Sequence, residues 1–339
     1  MRARLPRMLQ VTHPARFLHF DSGATMQGAA PMWFREVVMP LTGVHFLLSY
    51  QCTHECDHCF VWAGPRAGGT ILLEMLTRVL DQAHEMGTVN QIYFEGGEPF
   101  LFYPLMIEGI RQASERGFST GIVTNCYWAT AEADAALWLE PLSELEVADL
   151  SVSSDAFHAG GDEDPRPGFA VKAAQALGLD EAMITIDPPT VCSVPDEKGL
   201  PIVGGSVRFR GRAAVNLTAD LPRRPWTDFD ECPDEDFLDP GRVHVDGYGN
   251  VHLCQGLLVG NVEKTALGEM LETYDPPNHP VIGPLVAGGP AELVRVYDLP
   301  HEKGYVDACH LCYEARCALR ERFPEHLGPP NVYGAEERR

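Results

Sequence analysis

Positive charge is scarce in this chain: 26 Lys and Arg stand against 48 Asp and Glu in 339 residues, a formal net charge of −22. So acidic a chain opposes attachment to a phosphate backbone, and nucleic acid is not an expected partner. Long hydrophobic runs are also lacking. No stretch of about 18 apolar residues offers a membrane span, and the Arg-rich start, MRARLPRMLQVTHPARF, has no apolar secretory core. The expectation is a cytoplasmic protein with no membrane partner. Internal repeats and low-complexity tracts are not evident, and ten cysteines are too few for a small disulfide scaffold. With 45% hydrophobic residues, the chain has material for a sizeable core.

The placement of the cysteines is more telling than their number. Cys52, Cys56 and Cys59 fall within eight residues, Cys232, Cys254, Cys309, Cys312 and Cys317 lie in the last third, and Cys126 and Cys192 stand apart. Such clustering in a cytosolic chain points to metal or catalysis.

From residue 44 to about 210, short apolar or β-branched runs alternate with longer amphipathic segments, the pattern of a parallel sheet with crossover helices. Strands are expected at 44–50, in NQIYFEGG, up to Asn125, near VADLSVSS, at 182–187 and at 206–210. Helices are expected over about 71–87, 103–117, 131–143 and 168–178. The prolines and glycines of PPTVCSVPDEKGLPIVGG leave little room for a last full crossover helix. The sum is an incomplete α/β barrel of six strands. Beyond Gly211 prolines, acids and turn dipeptides take over. The expected organisation is an extension at 1–43, the barrel at 44–215, a small Cys-rich domain with a β-hairpin at 216–325 and a tail at 326–339.

Cys52, Cys56 and Cys59 give C-x3-C-x2-C directly after the first strand. Three thiolates on one loop leave an open metal position, since a structural zinc site takes four protein ligands. His54 or His58 would complete a zinc site, which is the plainer alternative. Some forty residues on, Gly96, Gly97, Glu98 and Pro99 form a Gly-Gly-Glu-Pro turn at the end of the second strand. Its glycines permit close backbone approach, and its carboxylate can accept bonds from an ammonium group.

CTHECDHC followed by EGGEP resembles the radical S-adenosylmethionine (radical SAM) enzymes. The resemblance implies a partial TIM-like (β/α)6 barrel with its site at the C-terminal strand ends. It implies a [4Fe–4S] cluster on Cys52, Cys56 and Cys59, with S-adenosylmethionine chelating the remaining iron. His58 would lie against the adenine, and Gly96, Gly97, Glu98 and Pro99 would bind the methionine amino group, Glu98 counting among the catalytic residues. Asn125, Ser153 and Asp155 fall at strand ends where relatives place polar cofactor contacts, although SSDAFH has Ala156 where relatives often have glycine. In VRFRGRAA, Arg208, Arg210 and Arg212 share one face of an extended segment, and Arg208 is a candidate for a cofactor carboxylate.

The second cysteine set is similar to the SPASM extension of that family, or its shortened twitch form. GYGNVHLCQGLLVGNV supplies Gly-x4-Cys on a hairpin and CHLCYEARC supplies Cys-x2-Cys. Five cysteines suffice for one auxiliary [4Fe–4S] cluster: Cys232, Cys254, Cys309 and Cys312, with Cys317 able to replace one of the last pair. A zinc site on the same residues is the alternative. The resemblance implies hydrogen abstraction from a peptide or small-molecule substrate by a 5′-deoxyadenosyl radical, leading to oxidation, crosslinking or epimerisation. The electron would come from a donor such as flavodoxin or ferredoxin. A non-catalytic iron–sulfur or zinc protein for electron transfer or scaffolding is the rival.

Overall fold

The computed structural model describes residues 41–158, 163–197 and 199–335. The expected extension therefore lies, but for its last three residues, outside the described residues.

Four βα units build the first half. Strand β1 (Gly43–Ser49) leads to α1 (Leu73–Met86), β2 (Gln91–Gly96) to α2 (Tyr103–Glu115), β3 (Ser119–Thr124) to α3 (Glu132–Glu144), and β4 (Asp149–Ser153) to α4 (Arg166–Leu177) and β5 (Glu181–Ile184). Helix α1 shows why these segments fold as they do. Met75, Leu76, Val79, Leu80 and Ala83 recur at helical spacing and are all buried, and Gly87 closes the helix at φ +69°. Val44, Phe46 and Leu48 on one face of β1 and Leu47 on the other are buried, as expected of a parallel strand covered on both sides.

After β5 the chain makes two short strands, β6 (Thr190–Val191) and β7 (Val203–Gly204), then the five-residue α5 (Arg212–Asn216) and β8 (Arg224–Pro225). Strands β9 (Arg242–Val245), β10 (Asn250–Cys254) and β11 (Leu257–Asn261) follow, then α6 (Leu267–Glu272), α7 (Ile282–Tyr297), β12 (Gly304–Tyr305) and α8 (Ala308–Leu319). The principal sheet runs β11-β10-β9-β1-β2-β3-β4-β5. Strand β9 pairs in parallel with β1, Val44 opposite Val243 and His45 opposite His244, whereas β10 is antiparallel to β9 and to β11. The fold is thus α/β, a partial barrel of six parallel strands extended by the expected hairpin.

Two expectations need correction. The segment 206–210 is not a strand, and the sixth parallel strand is β9, on the far side of β1. Gly205 and Gly211 bracket 206–210 with φ of +100° and +62°. Between them Arg210 N–H turns back onto Arg208 O (2.7 Å), while the two arginine side chains reach Asp234 and Cys254. The 215/216 boundary therefore does not separate two sheets. The expected tail is also packed as far as it is described: Leu327, Val332 and Tyr333 are buried, and the Tyr333 hydroxyl donates to Gly256 O at 2.6 Å. Among the described residues no helix is long and apolar enough to cross a membrane.

Candidate functional site

The C-terminal ends of β1 to β5 surround a cavity lined by Cys52, Cys56, Cys59, His58, Gly96, Gly97, Asn125, Ser153, Asp155 and Arg208. All but two of the residues expected to hold the first cluster and its cofactor meet there. The exceptions are Glu98 and Pro99.

The cysteine loop is fixed from several sides. Cys59 N–H donates to Cys56 O (3.0 Å) and Arg212 N–H to Cys59 O (2.8 Å). The buried Arg212 guanidinium forks, Nη1 reaching Cys56 O and Nη2 reaching Ala63 O, both at 2.9 Å. Three amide donors point at sulfur: His54 N–H and Asn125 Nδ2 at Cys52 Sγ (both 3.4 Å), and Ala63 N–H at Cys59 Sγ (3.3 Å). Burial nevertheless pushes the Cys52 and Cys56 thiols up to about 12, so a metal must displace their protons on binding.

The donor set suits a polynuclear cluster better than a single ion. Two thiolates about 2.3 Å from one tetrahedral zinc lie roughly 3.8 Å apart. Among the described residues, the trios of potential ligand atoms within 4.8 Å of one another are His45, Glu95, His244 and His58, Asp155, His158. No cysteine trio is that tight. Sulfurs spread over one cavity fit ligation to different irons.

The two glycines prove necessary for a different reason from ligand approach. A Cβ on Gly97 would lie 2.2 Å from Gln51 O, and one on Gly96, at φ +131°, 2.5 Å from Ser49 O. The turn is pressed against the backbone leading into Cys52, with Gly97 N–H on Ser49 O (2.6 Å) and Glu98 N–H on Gln51 O (2.9 Å). The Glu98 carboxylate points inward and has no exposed surface. It accepts from Phe100 N–H (3.1 Å), Thr124 Oγ1 (2.8 Å) and Asn125 N–H (2.8 Å). Burial raises its pKa to about 7 against these donors. Glu98 thus ties the end of β2 to the end of β3 and does not line the cavity, while Pro99 is buried at the start of a 3-10 turn. What this motif offers the cavity is the backbone of Gly96 and Gly97.

On the opposite wall Asp155 Oδ1 meets His158 Nδ1 at 2.8 Å and accepts Phe157 N–H at 3.0 Å. The His58 ring lies 4.8 Å from Phe157 and 5.3 Å from His158, and burial lowers its pKa to about 4, leaving a neutral imidazole at pH 7. Sequence reasoning quoted SSDAFH but took only Ser153 and Asp155 from it as site residues, passing over Phe157 and His158.

Cys232, Cys254, Cys309 and Cys312 line a second, smaller cavity with Arg210, Arg316, Asp234 and Glu235; Cys317 is not on it. Two, Cys309 and Cys312, come from the first two turns of α8, whose cap is the Asp307 side chain accepting His310 N–H (2.7 Å). Cys254 ends β10 and faces Arg210 Nη1 at 3.0 Å. Burial raises the Cys312 thiol to about 12. Arg210 lines both cavities and places its guanidinium 5.4 Å from the Phe60 ring centroid. Arg208, half exposed, pairs with Asp234 at 2.9 Å.

The family model described as Radical SAM superfamily matches residues 46–163. The chain is 24% identical over 112 residues to a putative peptide biosynthesis protein, YydG, of Bacillus subtilis, covering 33% of this chain and 35% of that one. It is 30% identical over 109 residues to a tungsten-containing aldehyde ferredoxin oxidoreductase cofactor-modifying protein of Pyrococcus furiosus, covering 32% and 29%. It is also 30% identical over 105 residues to a PqqA peptide cyclase of Rhodopseudomonas palustris, covering 30% and 26%. The matches thus span about a third or less of these relatives. Among solved structures, BtrN in complex with AdoMet and 2-DOIA aligns at 17% identity and a TM-score of 0.46 over 69% of this chain and 83% of that one. Native anSMEcpe with bound AdoMet and Cp18Cys peptide aligns at 12% identity and a TM-score of 0.44 over 88% of this chain and 99% of that one.

Proposed function

Residues 46–163 are a radical SAM domain, and from that premise we propose that the chain is an enzyme that cleaves S-adenosylmethionine reductively and abstracts hydrogen from a peptide or small-molecule substrate. The observation that supports this most is the convergence of Cys52, Cys56 and Cys59 with the Gly96–Gly97 backbone, Asn125, Ser153 and Asp155 on one cavity at the strand ends. When bound, a [4Fe–4S] cluster and S-adenosylmethionine supply one-electron reduction and a hydrogen-abstracting 5′-deoxyadenosyl radical.

The chain's own residues hold, orient and enclose. Cys52, Cys56 and Cys59 are the cluster ligands, and the Arg212 fork fixes the loop that carries them. The Gly96–Gly97 backbone and Asp155 receive the amino-acid and ribose portions of the cofactor, and the neutral His58 ring with Phe157 offers a flat wall for adenine. Arg208 is the cationic group for a carboxylate. Cys232, Cys254, Cys309 and Cys312 hold an auxiliary [4Fe–4S] cluster, with Arg210 between the two cavities. A peptide substrate is favoured because two of the matched relatives are named for peptides. A flavodoxin- or ferredoxin-type protein supplies the electron, and the compartment is the cytoplasm.

The test is formation of 5′-deoxyadenosine on adding dithionite and S-adenosylmethionine to anaerobically reconstituted protein. Product that vanishes in a triple Cys52, Cys56, Cys59→Ala variant is expected. No product from protein with full iron content would shift the assignment to an electron-transfer or scaffold protein.

A further inference from the structure

Three adjacent parallel strands, β9, β1 and β2, place His244, His45 and Glu95 on one face of the sheet. The register dictates it: His45 is opposite His244 on one side, and on the other Leu47, two residues further along the same face, is opposite Glu95. Leu47 and Glu95 line the large cavity, so the trio lies where the interior of the barrel meets the cavity floor.

The side chains converge as ligands do. Glu95 turns one oxygen to each ring, Oε2 to His45 Nδ1 at 3.5 Å and Oε1 to His244 Nε2 at 3.1 Å. Two nitrogen or oxygen ligands about 2.1 Å from a tetrahedral ion are roughly 3.4 Å apart. His45 Nδ1 and Glu95 Oε1 are buried atoms with no partner in hydrogen-bond geometry, although ligand atoms of all three residues lie within 4.8 Å of one another. His244 is 3% exposed. Glu95 pairs with either ring only when that ring is protonated, and His244 Nε2 also has Gln255 Nε2 at 3.4 Å. With both rings neutral, buried nitrogen and oxygen atoms outside hydrogen-bond geometry are costly, and a cation among them removes that cost.

We propose that His45, Glu95 and His244 bind a divalent first-row transition-metal ion, separate from the two cysteine sites. Two imidazoles and one carboxylate are the ligand set of open zinc and non-haem iron centres, and three protein ligands leave coordination positions for water or an anionic group of a substrate in the cavity. Its occupancy does not depend on the radical reaction.

The experiment is anaerobic dialysis of the full chain, already reconstituted with iron and sulfide, against zinc, followed by removal of free metal and elemental counting of zinc and iron together. Wild type should retain one zinc per chain above its iron, with only nitrogen and oxygen in the zinc first shell by X-ray absorption. Glu95→Gln and His45→Gln should keep their iron and weaken zinc binding by more than about tenfold. No retained zinc in wild type, equal zinc in wild type and both variants, or sulfur in the zinc shell would each overturn the proposal. Thermal unfolding of each zinc-free variant checks its folding, and should Glu95→Gln fail to fold, His45→Gln decides.

Discussion

The Tyr50 hydroxyl donates to Asp246 Oδ2 across 2.9 Å, joining the strand end that precedes Cys52 to the turn that precedes the Cys254 hairpin. Asp246 also accepts from Asn250 Nδ2 and His252 Nε2, both at 3.0 Å, and from the backbone N–H groups of Tyr248 and Asn250, both at 2.9 Å. His252 Nδ1 accepts Gly256 N–H at 3.0 Å, so its proton is on Nε2 and the ring is correctly set to donate to Asp246. One buried carboxylate therefore organises the approach to both cysteine sites.

A pH dependence follows. Burial opposes the Asp246 charge, but His252 and Asn250 hold its pKa below the ordinary carboxylate value. A depressed folded pKa gives stability that is fully present above the unfolded value of about 3.9 and is lost as pH falls through the folded pKa. Urea unfolding of wild type should show this acid limb, and Asp246→Asn should flatten it while lowering stability at pH 7 by about 2–3 kcal/mol.

Glu98→Ala would strand the N–H groups of Phe100 and Asn125 and the Thr124 hydroxyl in the interior. The expected cost is about 3 kcal/mol or more in denaturant unfolding. If Glu98 instead served only to bind a ligand, stability would be unchanged and S-adenosylmethionine affinity alone would fall.

Arg212→Lys keeps the charge but cannot span Cys56 O and Ala63 O with one planar fork. Its stability should fall by about 1–3 kcal/mol. The cysteine loop should become more sensitive to limited proteolysis, and iron retained after desalting should drop while the second site keeps its share.

The two cysteine sets can be separated by counting. Wild type should hold about eight irons, the sum of two four-iron clusters. Cys254→Ser should leave about four, whereas Cys317→Ser, removing a thiol that is not on the small cavity, should leave the total near eight. A Cys317 variant that loses half its iron would put that residue among the ligands.

Much of the scaffold was legible because its signals are local. The apolar face of α1, the glycine that ends it and the cysteines after β1 are all encoded within a few residues. Strand β9 was not, since Arg-Val-His-Val is a four-residue alternation amid acids and prolines, and its partner β1 is some two hundred positions away. SVRFR carries the same alternation more strongly, yet its arginines are drawn out of any ladder by Asp234 and Cys254. The inward turn of Glu98 was hidden for a similar reason: sequence places a carboxylate at a strand end but does not say that one donor from the following 3-10 turn and two from the end of β3 will enclose it. His45 and His244 belong to no motif, Glu95 is only the unremarked first residue of EGGEP, and the three meet through register.

The insertion of β9 beside β1 has a consequence for biosynthesis. Thr42 and Gly241, hydrogen-bonded at the start of this pair, are 199 residues apart. A ribosome therefore delivers the first cysteine loop long before the strand that flanks β1, leaving one edge of a central strand unpaired meanwhile. Asp246 and Arg212 also arrive late, so the loop acquires its fixed form only after most of the polypeptide has emerged. Iron delivered earlier meets an unfinished cradle, and a prematurely terminated product exposes a sticky edge together with three oxidisable thiols.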